Sequence, residues 1–418
     1  MDSIRVGHIL AALSALVAGT IGGGGNRRGA PDAPSPQLTF AAVSAGSDHT
    51  CGVTAAGVAY CWGTNYVLGD GFTLPAMDPA TFFRYQPRQP TPVLVAGDLT
   101  FAALSAGSSV TCGVTTARTA YCWGSNGEGQ LGDGAPHDFE RWGHVPVLVA
   151  GGLDLVAVSP GVDHTCGVTR DGAAYCWGRD GFGMLGDGGP VSGPYRTSPA
   201  IVVGELKFTA VSAGDYHTCG ITGAGVAYCW GLNDKGQLGD GTVLAQHEGR
   251  SSPVPVAAGV TFAAVSAGRS HTCGITAAGA AYCWGSNWAG QLGDGTTTDR
   301  PSPIPVVGGL SVGAVSAGGS HTCALTATGA AYCWGNNNRQ PSPLSGNLSG
   351  QLGDGTKTSR SSPVPVGGDL SFVGISAGGD HTCGVTAAGV AYCWGANYHG
   401  QLGDGSSKSR SRPVRVAQ

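Results

Sequence analysis

No run of lysines or arginines occurs anywhere in the 418 residues, and 22 basic side chains stand against 26 acidic ones for a net charge of −4. Nothing here would neutralise a phosphate backbone, so nucleic acid is not an expected partner. No segment spaces apolar residues three and four apart over a helical length, which excludes a helical solenoid. Catalytic signatures are missing too: there is no Gly-x-Ser-x-Gly elbow, no phosphate loop ending in Gly-Lys-Ser/Thr, no calcium-loop pattern and no His-Glu-x-x-His. The acids are scattered, with no evident carboxylate pair. The expectation is a chain that is not an enzyme, with no catalytic residue, no metal and no cofactor.

Glycine and proline, by contrast, are abundant, at 74 and 24 residues, while 41% of the chain is hydrophobic. That combination calls for many short strands joined by many turns. The N-terminus carries one early Arg, an apolar stretch from Ile9 to Val17 and then the small residues Ala18, Gly19 and Thr20. Residues 1–21 read as a secretory signal peptide, since the stretch is too short for a transmembrane helix. Residues 22–37 read as a Gly/Pro-rich linker, and residues 38–418 as a single repeated domain.

From Leu38 the chain repeats one unit, cleanest as TFAAVSAGRSHTCGITAAGAAYCWGSNWAGQLGDGTTTDRPSPIPV from Thr261 to Val306. It occurs seven times, with first cysteines Cys51, Cys112, Cys166, Cys219, Cys273, Cys323 and Cys383. A period of about fifty to sixty residues suits one four-stranded blade of a β-propeller. The fold class is therefore all-β, a seven-bladed propeller of four-stranded antiparallel blades. In each unit a small-residue segment FAAVSAG comes first, a hairpin of HTCGVT and AYCWG follows, and a Pro-bearing segment such as PVPV closes. Proline cannot donate to a ladder, which places that last segment on the outer edge and the small-residue strand near the axis. A ring closed by the last Pro strand completing the first blade would give the same counts, and the sequence leaves both closures open.

The phased motifs SAGxxHTCGVT, G-x-A-Y-C-W-G and N-x-x-G-Q-L-G make the chain resemble the regulator of chromosome condensation family over about nine tenths of its length. The resemblance implies a seven-bladed propeller, and implies little about function, because that fold hosts exchange factors, light receptors, inhibitors and secreted proteins. The family's founding activity, guanine nucleotide exchange on a small GTPase, gives the alternative reading of an intracellular regulator. The light-receptor branch places Trp and Arg at the two variable positions before His-Thr. Here those positions hold pairs such as Ser47 and Asp48, or Asp215 and Tyr216, which excludes light sensing by a tryptophan cluster.

Every cysteine has a mate ten residues on: Cys51 with Cys61, Cys112 with Cys122, Cys166 with Cys176, Cys219 with Cys229, Cys273 with Cys283, Cys323 with Cys333, and Cys383 with Cys393. If Ala55, Ala56 and Gly57 form the hairpin loop, Val53 faces Ala59, Gly52 faces Tyr60 and Cys51 faces Cys61, a spacing that a disulfide spans. Seven cross-strand disulfides imply an oxidising compartment, hence a secreted or cell-surface protein, with a cytoplasmic location as the alternative. In that register Tyr60 lies over Gly52. The Trp-Gly pairs beginning at Trp62 read as blade packing. His49, His164, His217, His271, His321 and His381 recur two residues before a cysteine, with Val110 in the second copy. A catalytic group is needed once, not six times, so these read as structural braces, and Asp70, Asp133, Asp187, Asp240, Asp294, Asp354 and Asp404 as turn formers.

Irregular segments over a regular scaffold are where a propeller meets partners. They are residues 72–91, 137–145, 189–198 and 336–350, on the face that also carries the SAGxxH loops. Phe82, Phe83, Arg84, Tyr85, Trp142, Tyr195, Trp288 and Tyr398 break the repeat, and such residues are typical anchors. The functional expectation is an exported, non-enzymatic binding propeller recognising a protein or glycan through that face.

Overall fold

The computed structural model describes residues 37–73, 87–135, 142–191, 193–257, 259–338 and 349–417. The segments read as signal peptide and nearly all of the linker lie outside them. Seven four-stranded antiparallel sheets follow one another along the chain. In the first blade β1 (Ala42–Ala45), β2 (His49–Val53), β3 (Ala59–Thr64) and β4 (Arg88–Leu94) lie side by side in chain order. The remaining blades span 101–148, 155–201, 208–255, 264–305, 312–365 and 372–415. Of the two closures left open by the sequence, the structure adopts the simpler one, because the final strand Arg410–Arg415 pairs within its own blade. The ring is sealed by packing and cross-blade bonds: Phe40 donates its N–H to the Gly389 carbonyl at 2.8 Å and packs with Trp62, Val385 and Leu402.

The hairpin register is the expected one, with Val53 opposite Ala59, Gly52 opposite Tyr60 and Cys51 opposite Cys61. All seven disulfides form, with Cα atoms 4.1 Å apart in the first and no free cysteine. The ring that occupies the space over the strand glycine, however, is not the tyrosine. A Cβ on Gly52 would come within 2.5 Å of Phe40, and the same conflict recurs at Gly113 with Phe101, Gly220 with Phe208, Gly274 with Phe262 and Gly384 with Phe372. Where Phe is replaced by Val312, the glycine is replaced by Ala324, which shares its core cluster. The two positions compensate in volume within one chain, as close packing requires. Tyr60 meets Phe40 edge-on, with centroids 6.3 Å apart.

Each blade grips the next through one repeated hydrogen-bond chain. Trp62 Nε1–H and the Thr50 hydroxyl both donate to the Gln401 carbonyl of the seventh blade, each at 2.9 Å. The Thr50 proton is thereby committed, so its oxygen accepts from His381 Nε2–H at 2.8 Å. That fixes the imidazole as the neutral Nε2–H tautomer. Six such His–Thr bonds of 2.7–2.9 Å link successive blades. The N-x-x-G-Q-L-G motif thus exists to carry a carbonyl and a close-packing glycine onto the next blade's tryptophan. Blade one shortens the motif, placing Val67 where the others have Gln or Met, and Trp123 Nε1 is buried with no partner among the described residues. The joint between blades two and three lacks the histidine, replaced by Val110, and has Pro160 where other blades offer an alanine N–H to a serine such as Ser44.

Candidate functional site

Around the axis the SAG glycines meet blade to blade. Ser47 N–H donates to the Gly107 carbonyl at 3.1 Å, Ser108 to Gly161 at 3.0 Å, Gly319 to Gly378 at 3.0 Å and Gly379 to Gly46 at 3.0 Å. A Cβ on Gly107 would lie 2.5 Å from the Gly161 carbonyl oxygen and 2.7 Å from that of Pro160, so no larger residue fits. These turns form the neck of a funnel of about 340 Å³, whose wall is made by their Ala and Gly residues together with most of the variable residues that follow. The repeat is constant around the funnel and changes at its lining.

That lining is acidic and uneven. Asp48, Asp215 and Asp380 face the funnel together with Arg269 and Tyr216, and Asp163 stands behind the lining, close enough for its charge to act on Asp215. Arg269 Nε pairs with Asp215 at 3.0 Å, and Arg179 Nη1 with Asp163 at 3.4 Å. Burial pushes the Asp215 carboxyl up to about 6, opposed by Arg269 and reinforced by the charge of Asp163. Burial likewise raises Asp163, with Arg179 opposing. The sequence reading of scattered acids with no evident pair is corrected here. Residues 163 and 215 are far apart in the chain, but adjacent blades bring them into electrostatic contact.

Beside these acids stands an aromatic cluster that the sequence pattern did not single out. Phe182, from the connector of blade three, meets Tyr216 edge-to-face at 6.0 Å and stacks on His247 at 5.9 Å. Phe182 and His247 both hold left-handed backbone, with φ of 79° and 67°. A bulky aromatic in that region is strained, and such strain concentrates at functional sites. The signal was present in the repeats, where Phe182 takes the position of Lys235, just before the turn glycine Gly183.

The predicted anchors are distributed unequally. Phe82, Phe83, Arg84 and Tyr85 lie outside the described residues. Tyr195 is exposed, and its hydroxyl bonds to Glu128 close to Arg179 and Asp163, which joins it to the acidic cluster. Trp142 opens the outer strand of blade two and packs edge-on against Tyr66 at 4.7 Å, half-buried. Trp288 is 63% exposed on blade five, and Tyr398 holds the same loop position on blade seven, so the two stand on blades that are not neighbours. Among the described residues no three His, Cys, Asp or Glu side chains converge in a way that would hold a metal ion.

The recurrent histidines and aspartates take the structural places expected of them. The histidines are the inter-blade bonds described above. The aspartates cap turns, as where Thr296 N–H meets Asp294 Oδ1 at 2.9 Å, and five of them also pair with the arginine at the start of the outer strand, as Arg410 does with Asp404 at 2.8 Å. That arginine was legible in the sequence as the R-x-x-P that opens many outer strands, and its role was missed.

Comparison with known proteins agrees with this architecture. Residues 154–418 match the RCC1-like domain, and residues 119–168, 40–67 and 101–130 match the regulator of chromosome condensation (RCC1) repeat. The chain is 30% identical over 286 residues to the ultraviolet-B receptor UVR8 of Arabidopsis thaliana, a match covering 65% of this chain and 60% of that one. It is 28% identical over 260 residues to the human E3 ubiquitin-protein ligase HERC2, covering 61% of this chain and 5% of that one. The matched region is thus about three fifths of the first relative and a twentieth of the second. Among solved structures, human WBSCR16 superposes with a TM-score of 0.71 at 22% identity, covering 86% of this chain and 95% of that one. Prp20p of Saccharomyces cerevisiae gives 0.67 at 19% identity, covering 91% and 88%. With seven phased blades, their shared motifs and a matching profile over more than half its length, the chain belongs to the RCC1-like domain family.

Proposed function

We propose that this protein is an exported, non-enzymatic binding propeller that takes a protein or glycan partner on the loop face around its funnel. The observation that carries the reading is internal to the chain. Seven near-identical blades differ chiefly at the lining of the funnel and in the connectors beside it, and there Asp163, Asp215, Arg269, Tyr216, Phe182 and Tyr195 come together. Structural need does not explain variation confined to one face, whereas recognition does. Seven disulfides buried from solvent fit an oxidising compartment and weigh against a reduced intracellular regulator of a GTPase. The candidate anchors Phe82, Phe83, Arg84 and Tyr85 belong to the same proposal on sequence grounds alone.

The test is crosslinking capture from the native source, compared between variants. Tyr216→Ala with Arg269→Ala is expected to weaken capture at least tenfold, because aromatic and Arg anchors dominate binding energy. The melting temperature should fall by only a few degrees, since Tyr216 is a rim residue and the Asp215 carboxyl, left without Arg269, can take up a proton. Phe83→Ala with Arg84→Ala is expected to act in the same direction. Capture unchanged in both double variants would move the site to the opposite face.

A further inference from the structure

In blades four to seven one buried asparagine organises each connector. Its Oδ1 accepts the N–H of a leucine five residues on or, in blade six, fifteen on: Leu238 to Asn233 at 3.1 Å, Leu292 to Asn287 at 2.9 Å, Leu352 to Asn337 at 3.0 Å and Leu402 to Asn397 at 3.0 Å. Its Nδ2 sits in a cage of acceptors. In blade five these are Asp294 Oδ1 at 3.1 Å and the carbonyls of Thr296 and Thr298 at 3.2 and 3.1 Å. In blade seven they are Asp404 Oδ1 at 3.0 Å and the carbonyls of Ser406 and Lys408 at 3.1 and 3.2 Å. Every wall of the cage is an oxygen, so what sits inside must present positive charge or a proton.

Blade three breaks this rule. Its residue at that position is Asp180, buried to 2% exposure. Asp180 Oδ1 accepts the Leu185 N–H at 3.2 Å, as the asparagines do. Asp187 Oδ1 accepts the Gly189 N–H at 2.9 Å, as its counterparts do. Both ends of the pair are therefore in register with the other blades, and Asp180 Oδ2 falls where the amide nitrogen would be, against Asp187. No described residue donates to that oxygen. Arg196 is the cation packed beside the pair, and it is spent on Asp187 Oδ2, at 2.8 Å from Nη2 and 3.2 Å from Nε. Two carboxylates and one guanidinium leave a net negative charge at this buried position.

We propose that Asp180 and Asp187 form a seat for calcium in blade three, with water completing the shell. The donors are all hard oxygens in an irregular loop, which suits a cation that tolerates variable coordination and completes its shell with water. Magnesium, which demands near-ideal octahedral geometry, fits such a loop poorly. Burial, with the charge of Asp187 adding to it, pushes Asp180 up to about 6, so near neutral pH a proton fills the seat in only a minority of molecules. Two carboxylates place the affinity in the range of extracellular calcium modules, on the order of 10⁻⁴–10⁻³ M.

Calorimetric titration of the oxidised full chain with calcium chloride at pH 7.5 should show one site, and 5 mM calcium should raise the melting temperature by about 2 °C or more. Magnesium chloride and extra sodium chloride should do neither. Asp180→Asn installs the residue of the sister blades, so it should fold, melt higher than the parent without calcium, and take up none. The proposal is overturned if the parent binds no calcium, or if Asp180→Asn binds it equally well. It also falls if the stability gap between the two closes on acidification while calcium has no effect, for then a proton is the occupant.

Discussion

Lowering the pH from 7 to 5 is expected to remove on the order of 10 kcal/mol of folding free energy, enough to unfold a domain of ordinary stability. The cause is the ring of inter-blade histidines. Burial holds His49, His164 and His271 down at about 4, and His217, His321 and His381 at about 3. In the unfolded chain these rings take up protons near the ordinary value of 6.5. Below that pH the unfolded state binds more protons than the folded one, so the stability present above 6.5 is lost as the pH falls toward 3–4. Six groups at about 1.4 kcal/mol per pH unit lose about 8 kcal/mol for each unit. Asp180 and Asp215, held near 6, work the other way, since the folded state protonates them first; between 6 and about 4 they return about 3 kcal/mol per unit.

Urea unfolding followed by tryptophan fluorescence across pH 5–8 measures this balance. His271→Val, which copies the natural Val110, should cost about 1–2 kcal/mol at pH 7.5 by leaving Thr322 without its donor. The same variant should flatten the acid slope by about 1.4 kcal/mol per unit. Stability that stays level between pH 7 and pH 5 would show that the imidazoles are not buried neutral braces.

The second large effect concerns the disulfides. Each joins cysteines ten residues apart, and closing so small a loop is worth about 3 kcal/mol in chain entropy. Seven together exceed the whole folding free energy of a typical domain, so the fully reduced chain should not refold. All fourteen cysteines are 0% exposed, and thiol exchange requires access. Reductant alone at 25 °C should therefore leave the native protein folded for hours, whereas reductant with urea should trap it unfolded. Replacing both Cys273 and Cys283 by Ala should lower stability by about 3 kcal/mol and leave six blades stapled. Refolding of the reduced chain to native fluorescence would refute this account of the staples.

The repeat made most of this architecture readable. Blade number, the Cys51–Cys61 register and the outer place of the Pro strand all follow from a unit written seven times, since each copy checks the others. Ring closure was not readable, because both closures use the same strands. Neither was the partner of Gly52, since a pairing register names the residue opposite and not the ring, here Phe40, that folds across from the neighbouring strand. The candidate site was legible only in its parts. Tyr195 and Asp215 could each be seen as departures from the repeat, but their approach to Asp163, Arg179 and Phe182 depends on the order of blades around an axis. Asp180 is the one acid where the other six repeats carry asparagine, a departure the sequence reading passed over, and its burial near Asp187 appears only when the connector is folded.

The most direct measurement of the central claim, a stapled propeller working in an oxidising compartment, is thiol alkylation of the protein taken from its native source, read by intact mass under denaturing conditions. The account predicts no alkyl group added before reduction and fourteen after it, one for each cysteine in the seven pairs. Fourteen groups added without reductant would contradict it.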